Sequence, residues 1–121
     1  MPQSRRRTFS LIVLGLTSCG GLPVLPGSDH RCDLRPQKQQ CTDWRSLVGP
    51  ATTQEALCKT LNTAGAGGAW KSGERCSSSD SVGGCQTDTK VGLQTNWFYA
   101  PRTASDVAAE CADDGTTFVT P

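Results

Sequence analysis

The chain has 121 residues, with 12 Lys and Arg against 11 Asp and Glu, so its formal net charge at pH 7 is +1. Three of the basic residues are arginines at positions 5–7, and the remaining nine basic and eleven acidic side chains form no basic run of the kind that binds nucleic acid. The length allows one small domain, and the seven cysteines argue against an ordinary cytosolic enzyme, because this density is typical of disulfide-rich proteins in oxidising compartments.

Residues 1–18 resemble a signal peptide. The arginines at 5–7 precede an apolar run at 9–18, which is too short for a membrane span because a span needs about 20 apolar residues. We therefore expect the protein to be exported. The segment Arg-Arg-Thr-Phe at 6–9 is similar to the core of a twin-arginine signal, although Ser10 stands where that family has Leu. The general and the twin-arginine export routes both stay open.

The four residues Leu-Thr-Ser-Cys at 16–19 resemble the lipobox of bacterial lipoproteins. The resemblance implies cleavage before Cys19, a diacylglycerol on its sulfur and an acyl group such as palmitate on its amine. Several acyl chains anchor a protein stably to a membrane, whereas one chain alone is marginal. Lipidation also accounts for the odd cysteine among seven. Gly20 stands where Asp would signal inner-membrane retention, which favours the outer membrane over the inner membrane.

Residues 19–30 are predicted to be a flexible tether, because Pro23 and Pro26 lie among glycines without hydrophobic periodicity. The only histidine, His30, is expected to be solvated there, which leaves Ser-His-Asp or Cys-His catalysis without a base. The cysteine spacing matches neither a zinc site nor a Cys-x-x-Cys redox motif. We therefore expect no enzymatic activity, no metal and no cofactor.

Residues 31–121 are predicted to form the folded domain. Large apolar side chains are few for this length, so we expect three disulfides, each worth roughly 2–4 kcal/mol, to stabilise it. Six cysteines can pair in many ways, and pairs that are close in the chain need the least rearrangement. The predicted pairs are Cys32–Cys41, Cys58–Cys76 and Cys85–Cys111.

The domain carries helix and strand signals. A capping-box pattern at 52–55 precedes a helix expected at 53–64, and a similar pattern at 103–106 begins a second helix that ends near Gly115. Apolar alternation predicts a strand at 93–99 that pairs with 82–87. The predicted fold is α+β: a small, disulfide-stapled, monomeric domain with a short antiparallel sheet and two helices. Weaker strand candidates are 40–45, 68–72 and 116–119.

The chain also shows an internal similarity. Each predicted helix carries a cysteine and is followed by a glycine and a short segment with an aromatic residue. These segments are Ala-Trp-Lys at 69–71 and Thr-Phe-Val at 117–119. Duplication of a helix–strand unit and chance both stay open.

The order of motifs in the domain resembles that of the small Cys-rich lipoproteins that myxobacteria encode in numbers. The motifs are Cys-Asp at 32–33, Gly-Gly-x-Trp at 67–70, Val-Gly-Gly-Cys at 82–85 and Asp-Gly-x-x-Phe at 114–118. The resemblance implies a location in the cell envelope and a compact Cys-rich architecture. It implies no catalytic residue.

The strand at 93–99 supplies the candidate ligand-binding residues, Trp97 and Tyr99, which alternation places on one face. We expect the helices to bury this face, in which case binding would fall to the opposite face with its amides and Phe98. If the helices cover the Phe98 face instead, Trp97 and Tyr99 form an exposed stacking platform for a glycan or an envelope protein.

The predicted function is that of a lipid-anchored binding or structural module of the cell envelope. Two alternatives stay open. One is an exported glycan hydrolase that uses carboxylates such as Asp43 or Glu74, and the other is an inhibitor of exported hydrolases. Two acids facing each other across a concave site would favour the hydrolase.

Overall fold

The computed structural model describes residues 27–121, so the predicted signal peptide, the lipidation at Cys19 and most of the predicted tether lie outside the described residues. Within residues 27–121 no helix is long and apolar enough to cross a membrane. A π-helical turn at Asn62–Ala66 follows the first helix. The elements in chain order are β1 (Ser28–Asp33), β2 (Gln40–Leu47), α1 (Thr52–Leu61), β3 (Ala69–Ser72), β4 (Gly83–Thr89), β5 (Gly92–Phe98), α2 (Ala104–Asp114) and β6 (Thr117–Val119).

The strands form one antiparallel sheet with the order β3-β1-β2-β5-β4-β6. A row of directly paired residues crosses four strands: Cys32, Thr42, Asn96 and Cys85. Directly paired side chains share one face of a sheet, and disulfides join Cys32 to α1 and Cys85 to α2. Both helices therefore lie on the same face, which we call the helix face. This architecture confirms the predicted α+β fold.

The topology repeats along the chain. The units β1-β2-α1-β3 and β4-β5-α2-β6 each contain a hairpin, a helix, and an edge strand that pairs with the first strand of its hairpin. In each unit a disulfide joins the first strand to the helix across a sequence separation of 26. The hairpins meet where β2 pairs with β5, so a pseudo-twofold axis passes near the Thr42–Asn96 pair. The repeated unit is larger than the helix–strand similarity visible in the sequence.

The second helix has its predicted cap. Thr103 is the N-cap residue, and its Oγ1 accepts a hydrogen bond of 3.3 Å from the N–H of Asp106. The helix ends at Gly115, whose φ of 70° lies in the left-handed region that glycine adopts without strain.

The predicted capping box of the first helix is wrong. Its N-cap residue is Ala51, no side chain caps this end, and Thr52 lies inside the first turn. The helix also ends at Leu61 rather than at residue 64, because the backbone widens into the π-helical turn, where Gly65 has a φ of 79°.

The predicted hairpin is present as β4 and β5, and the weaker strand candidates are present as β2, β3 and β6. The first strand was not predicted. It begins at Ser28, so residues 28–30 of the predicted tether belong to the sheet. His30 was expected to be solvated, but it is only 9 % exposed, and its ring stacks on Trp70 at a centroid distance of 5.2 Å.

The six cysteines form three disulfides, of which only Cys85–Cys111 has the predicted partners. The predicted Cys32–Cys41 pair is wrong because the β1–β2 register places Cys41 opposite Asp33, on the face away from Cys32. The predicted Cys58–Cys76 pair is wrong for the same reason, since Cys58 lies on the helix face and Cys76 on the other. The observed pairs are Cys32–Cys58, Cys41–Cys76 and Cys85–Cys111.

The second face of the sheet is covered by irregular chain. We call residues 73–82 the covering segment. Its Cys76 is bonded to Cys41 of β2, and both pack in a buried cluster with Trp97 and Tyr99. The helix face carries two separate buried clusters, one beneath each helix. The gap between these two clusters leaves the centre of the helix face open.

Candidate functional site

Trp97 and Tyr99 lie on the face beneath the covering segment, and each is 4 % exposed. The Nε1 of Trp97 donates a hydrogen bond of 3.1 Å to the carboxylate of Asp43, and the Tyr99 hydroxyl donates to a backbone carbonyl of the covering segment. Burial raises the pKa of Tyr99 to about 12. The helices cover the opposite face, yet the covering segment buries the Trp97 face as well. These two residues therefore belong to the core and do not form an exposed platform.

The two carboxylates considered for hydrolysis do not face each other across an open site. Asp43 is fully buried, and its Oδ2 accepts hydrogen bonds from the N–H of Cys76 and from Trp97. Burial raises the pKa of Asp43, although Arg45, 3.6 Å from its Oδ1, opposes this shift. Through these bonds Asp43 holds the covering segment to the sheet. Glu74, by contrast, is exposed and forms an ion pair of 2.9 Å with an arginine of β1.

A cleft of about 200 Å³ opens on the helix face beside α1. Its floor lies on the two central strands, at the junction of the repeated units. The two glutamines of this floor, Gln40 and Gln94, occupy equivalent places in the two repeated units, because each lies two residues before a member of the Thr42–Asn96 pair. Both units therefore contribute to the cleft. The floor residues are the half-exposed side chains Gln40, Thr42, Gln94 and Asn96.

Two of the floor amides are oriented by hydrogen bonds. The Oδ1 of Asn96 accepts a hydrogen bond of 2.6 Å from the Thr42 hydroxyl. The Oε1 of Gln94 accepts one of 3.1 Å from the Nε1 of Trp44. Because each oxygen is engaged, each –NH₂ group is left as a donor, and neither has another hydrogen-bond partner among residues 27–121. The floor therefore presents two oriented hydrogen-bond donors.

The walls of the cleft are apolar. Leu57 and Leu61 of α1 flank it, and the wall is completed by Leu34, Trp44 and the Cys32–Cys58 disulfide. Leu57 is 55 % exposed, which is high for a leucine in a helix that packs on a sheet. No side chain in the lining is ionisable. The cleft therefore combines neutral donors with an apolar surface.

A second, shallower depression of about 320 Å³ adjoins the cleft on the side of α2. It shares Gln40 with the cleft. Unlike the cleft, it carries two cations, one of which, Arg102, lies 4.8 Å over the ring of Phe98 and pairs with Glu110. The lining residues are Lys38, Gln39, Gln40, Phe98, Pro101 and Arg102.

The sequence pointed to part of this site. The amide face of the strand at 93–99 was the expected alternative to Trp97, and its Gln94 and Asn96 do line the cleft. Gln40 and Thr42 were missed, since nothing in a short polar strand reveals its partner or its register.

Within residues 27–121 no group of three or more His, Cys, Asp or Glu side chains could hold a metal ion.

Comparisons with protein-family models, with curated proteins and with solved structures found no match.

Proposed function

We propose that the protein is a lipid-anchored binding module of the bacterial cell envelope that holds a neutral saccharide in the cleft. The observation that carries this proposal is the pair of oriented –NH₂ donors, on Gln94 and Asn96, beside the aliphatic wall of α1. Neutral amide groups are suited to hydroxyl and carbonyl oxygens of an uncharged ligand. A charged ligand would lose its hydration in this cleft without meeting an opposite charge.

The ligand chemistry that fits best is an N-acetylated sugar. Its acetamido group places a carbonyl acceptor next to a methyl group, which matches donors on the floor next to Leu57 and Leu61 on the wall. The volume of about 200 Å³ suits one sugar ring rather than a long chain, so we expect recognition of a single residue or a chain end. A peptide with an apolar side chain is the competing ligand class.

The anchoring part of the proposal is supported by the sequence. The lipobox-like segment ending at Cys19 predicts lipidation, and the three disulfides suit an oxidising compartment outside the cytosol. Replacing Cys19 by serine should move the protein from the detergent phase to the aqueous phase on detergent partitioning. Identical partitioning of the two proteins would contradict the anchor.

Binding is tested by reversing the donors without removing the bonds that orient them. Asn96→Asp and Gln94→Glu keep the oxygen that Thr42 or Trp44 needs, but replace the –NH₂ donor by a second acceptor. Each should weaken the affinity for diacetylchitobiose about five- to tenfold, since one hydrogen bond contributes about 1–1.5 kcal/mol. Gln86→Glu is the matched control, because Gln86 lies on the opposite face of the sheet, where it donates to Thr95.

Titration calorimetry of the four proteins decides between the ligand classes. We expect the wild type and the control to bind diacetylchitobiose, and the two donor variants to bind it more weakly. No binding by the wild type, or equal affinities of all four proteins, would contradict it. Binding of a neutral apolar peptide with the same dependence on Asn96 and Gln94 would replace the saccharide by a peptide as the ligand.

A further inference from the structure

Three large hydrophobic side chains are exposed among residues 27–121, and two of them lie together away from the cleft. These two are Val48, 55 % exposed, and Val91, 45 % exposed; the third is Leu57 in the cleft wall. The N–H of Val48 donates a hydrogen bond of 2.6 Å to the carbonyl of Val91, which joins the end of β2 to the β4–β5 turn. We call Val48, Lys90 and Val91 the valine tip.

The valine tip lies where the chain enters the domain. Ser28, at the start of β1, pairs with Leu47, the neighbour of Val48 in the chain. Gly27 lies eight positions after Cys19, so the extended chain between them spans at most about 29 Å. A lipid on Cys19 would therefore keep this end of the sheet close to the bilayer.

The charges at this end are compatible with lipid headgroups. Lys90 is exposed beside Val91 and can meet a phosphate. Asp29 of β1 accepts hydrogen bonds from the N–H of Ser46 and from Arg75, which lower its pKa, and the Arg75 cation balances its negative charge. Asp88 of β4 lies near the same turn and is exposed, so it is the carboxylate closest in the chain to Lys90.

The second depression and the Leu34 side of the cleft lie at the opposite end of the sheet. Leu34 follows the end of β1, Lys38 and Gln39 precede β2, and Arg102 precedes α2, so all four lie at the end remote from the valine tip. A domain that rests on its valine tip would hold the second depression away from the membrane and leave the cleft, which opens on the helix face, clear of the lipid.

We propose that the valine tip is a membrane-contact surface. Val48 and Val91 enter the headgroup region of the bilayer, and Lys90 lies among the phosphates. The proposal rests on the lipid anchor of the proposed function, because two valines alone bind a bilayer too weakly to hold a protein there. Its consequence is a fixed orientation, in which the cleft stays clear of the lipid.

The test measures the depth of a tryptophan placed at each end of the sheet. The full-length protein, with Val91→Trp or with Lys38→Trp as the matched control, is purified from membranes and reconstituted into vesicles of phosphatidylethanolamine and phosphatidylglycerol. The acyl chains are brominated near the headgroup end in one set of vesicles and unmodified in the other. The three native tryptophans at positions 44, 70 and 97 are the same in both variants, so their signal cancels in the comparison.

We expect bromine to quench the added fluorescence of Val91→Trp at least about twofold more strongly than that of Lys38→Trp. A further Val48→Asp change should reduce this difference in quenching. Equal quenching of the two variants in protein that sediments with the vesicles would overturn the membrane contact and leave the anchor intact. Protein that stays in the supernatant would overturn the anchor and, with it, the membrane contact.

Discussion

Replacing Trp97 by alanine tests how the covering segment and the sheet are held together. Loss of a buried aromatic side chain costs about 3–5 kcal/mol of unfolding free energy. Trp97 also donates a hydrogen bond to the fully buried carboxylate of Asp43, and leaving such an acceptor without its donor adds about 1–3 kcal/mol. The change should therefore lower the unfolding free energy by at least about 4 kcal/mol, the sum of the two lower bounds.

Thermal denaturation without reductant, followed by circular dichroism, measures this loss. In a domain of this size each kcal/mol lowers Tm by about 4–8 °C, so Trp97→Ala should lower it by about 16 °C or more. Trp97→Phe keeps most of the ring and removes the donor, so it isolates the bond to Asp43 at about 1–3 kcal/mol. Trp70→Phe is the control, because Trp70 is half-buried on the edge strand β3 and should change Tm little.

A shift in Tm of only a degree or two for Trp97→Ala would contradict this packing. Such a result would mean that the covering segment does not pack on Trp97. A Trp97→Phe protein as stable as the wild type would show that the hydrogen bond to Asp43 contributes nothing.

Three further predictions concern pH, a helix cap and a disulfide. Because burial raises the pKa of Asp43, the folded protein binds that proton more tightly than the unfolded chain, so the wild type should lose stability relative to Asp43→Asn as the pH rises above about 4. Chemical denaturation across pH checks the sign, and an equal pH dependence of the two proteins would contradict it. Thr103→Ala should lower the unfolding free energy by about 1 kcal/mol, whereas Thr52→Ala, which removes no cap, should change it by no more than about 0.5 kcal/mol. Urea denaturation measures both changes, and the reverse order would support the capping box that was predicted for the first helix. Replacing Cys41 and Cys76 together by alanine should lower the unfolding free energy by about 3.8 kcal/mol, because the unfolded chain regains the entropy that a cross-link at a sequence separation of 35 removes. Peptide mapping of the wild type that failed to recover the Cys41–Cys76 pair would contradict the fold.

The parts of the fold that local chemistry determines were predictable from the sequence. The second helix is an example, because Thr103 supplies its N-cap and Gly115 its left-handed end within a few residues of the chain. The hairpin of β4 and β5 is another, since both strands are close in sequence and joined by a short turn. The number of disulfides followed from the cysteine count and the sparse apolar content.

The parts that depend on distant contacts were not predictable. β1 is mostly polar in sequence, and it becomes a strand because β2 and β3 pair with it on both sides. The prolines and glycines before it predicted a tether up to residue 30, whereas in the fold its charged residues Arg31 and Asp33 form ion pairs with Glu74 and Arg35. Sequence distance also misled the disulfide pairing, since the face of the sheet decides which cysteines can meet.

The candidate site shows the same division. Alternation identified the amide face of β5, but the donors on Gln94 and Asn96 are defined by partners on β2 that lie 50 and 54 positions away in the chain. Trp97 was expected to be buried beneath the two helices, whereas the covering segment buries it. The covering segment is rich in serine and has no periodicity, so its packing on the sheet follows from long-range contacts such as its disulfide and its hydrogen bond to Asp43.

The most direct test of saccharide binding in the cleft is a ¹H–¹⁵N correlation spectrum of the wild-type protein during titration with diacetylchitobiose, with maltose as the sugar that lacks acetamido groups. The spectrum reports the side-chain –NH₂ signals of Gln94 and Asn96 individually. We expect these two signals to shift progressively with diacetylchitobiose and to remain in place with maltose, while the –NH₂ signal of Gln86 on the opposite face stays unchanged. Shifts that spare Gln94 and Asn96, or no shifts at saturating sugar, would contradict the assignment of the cleft as a saccharide site.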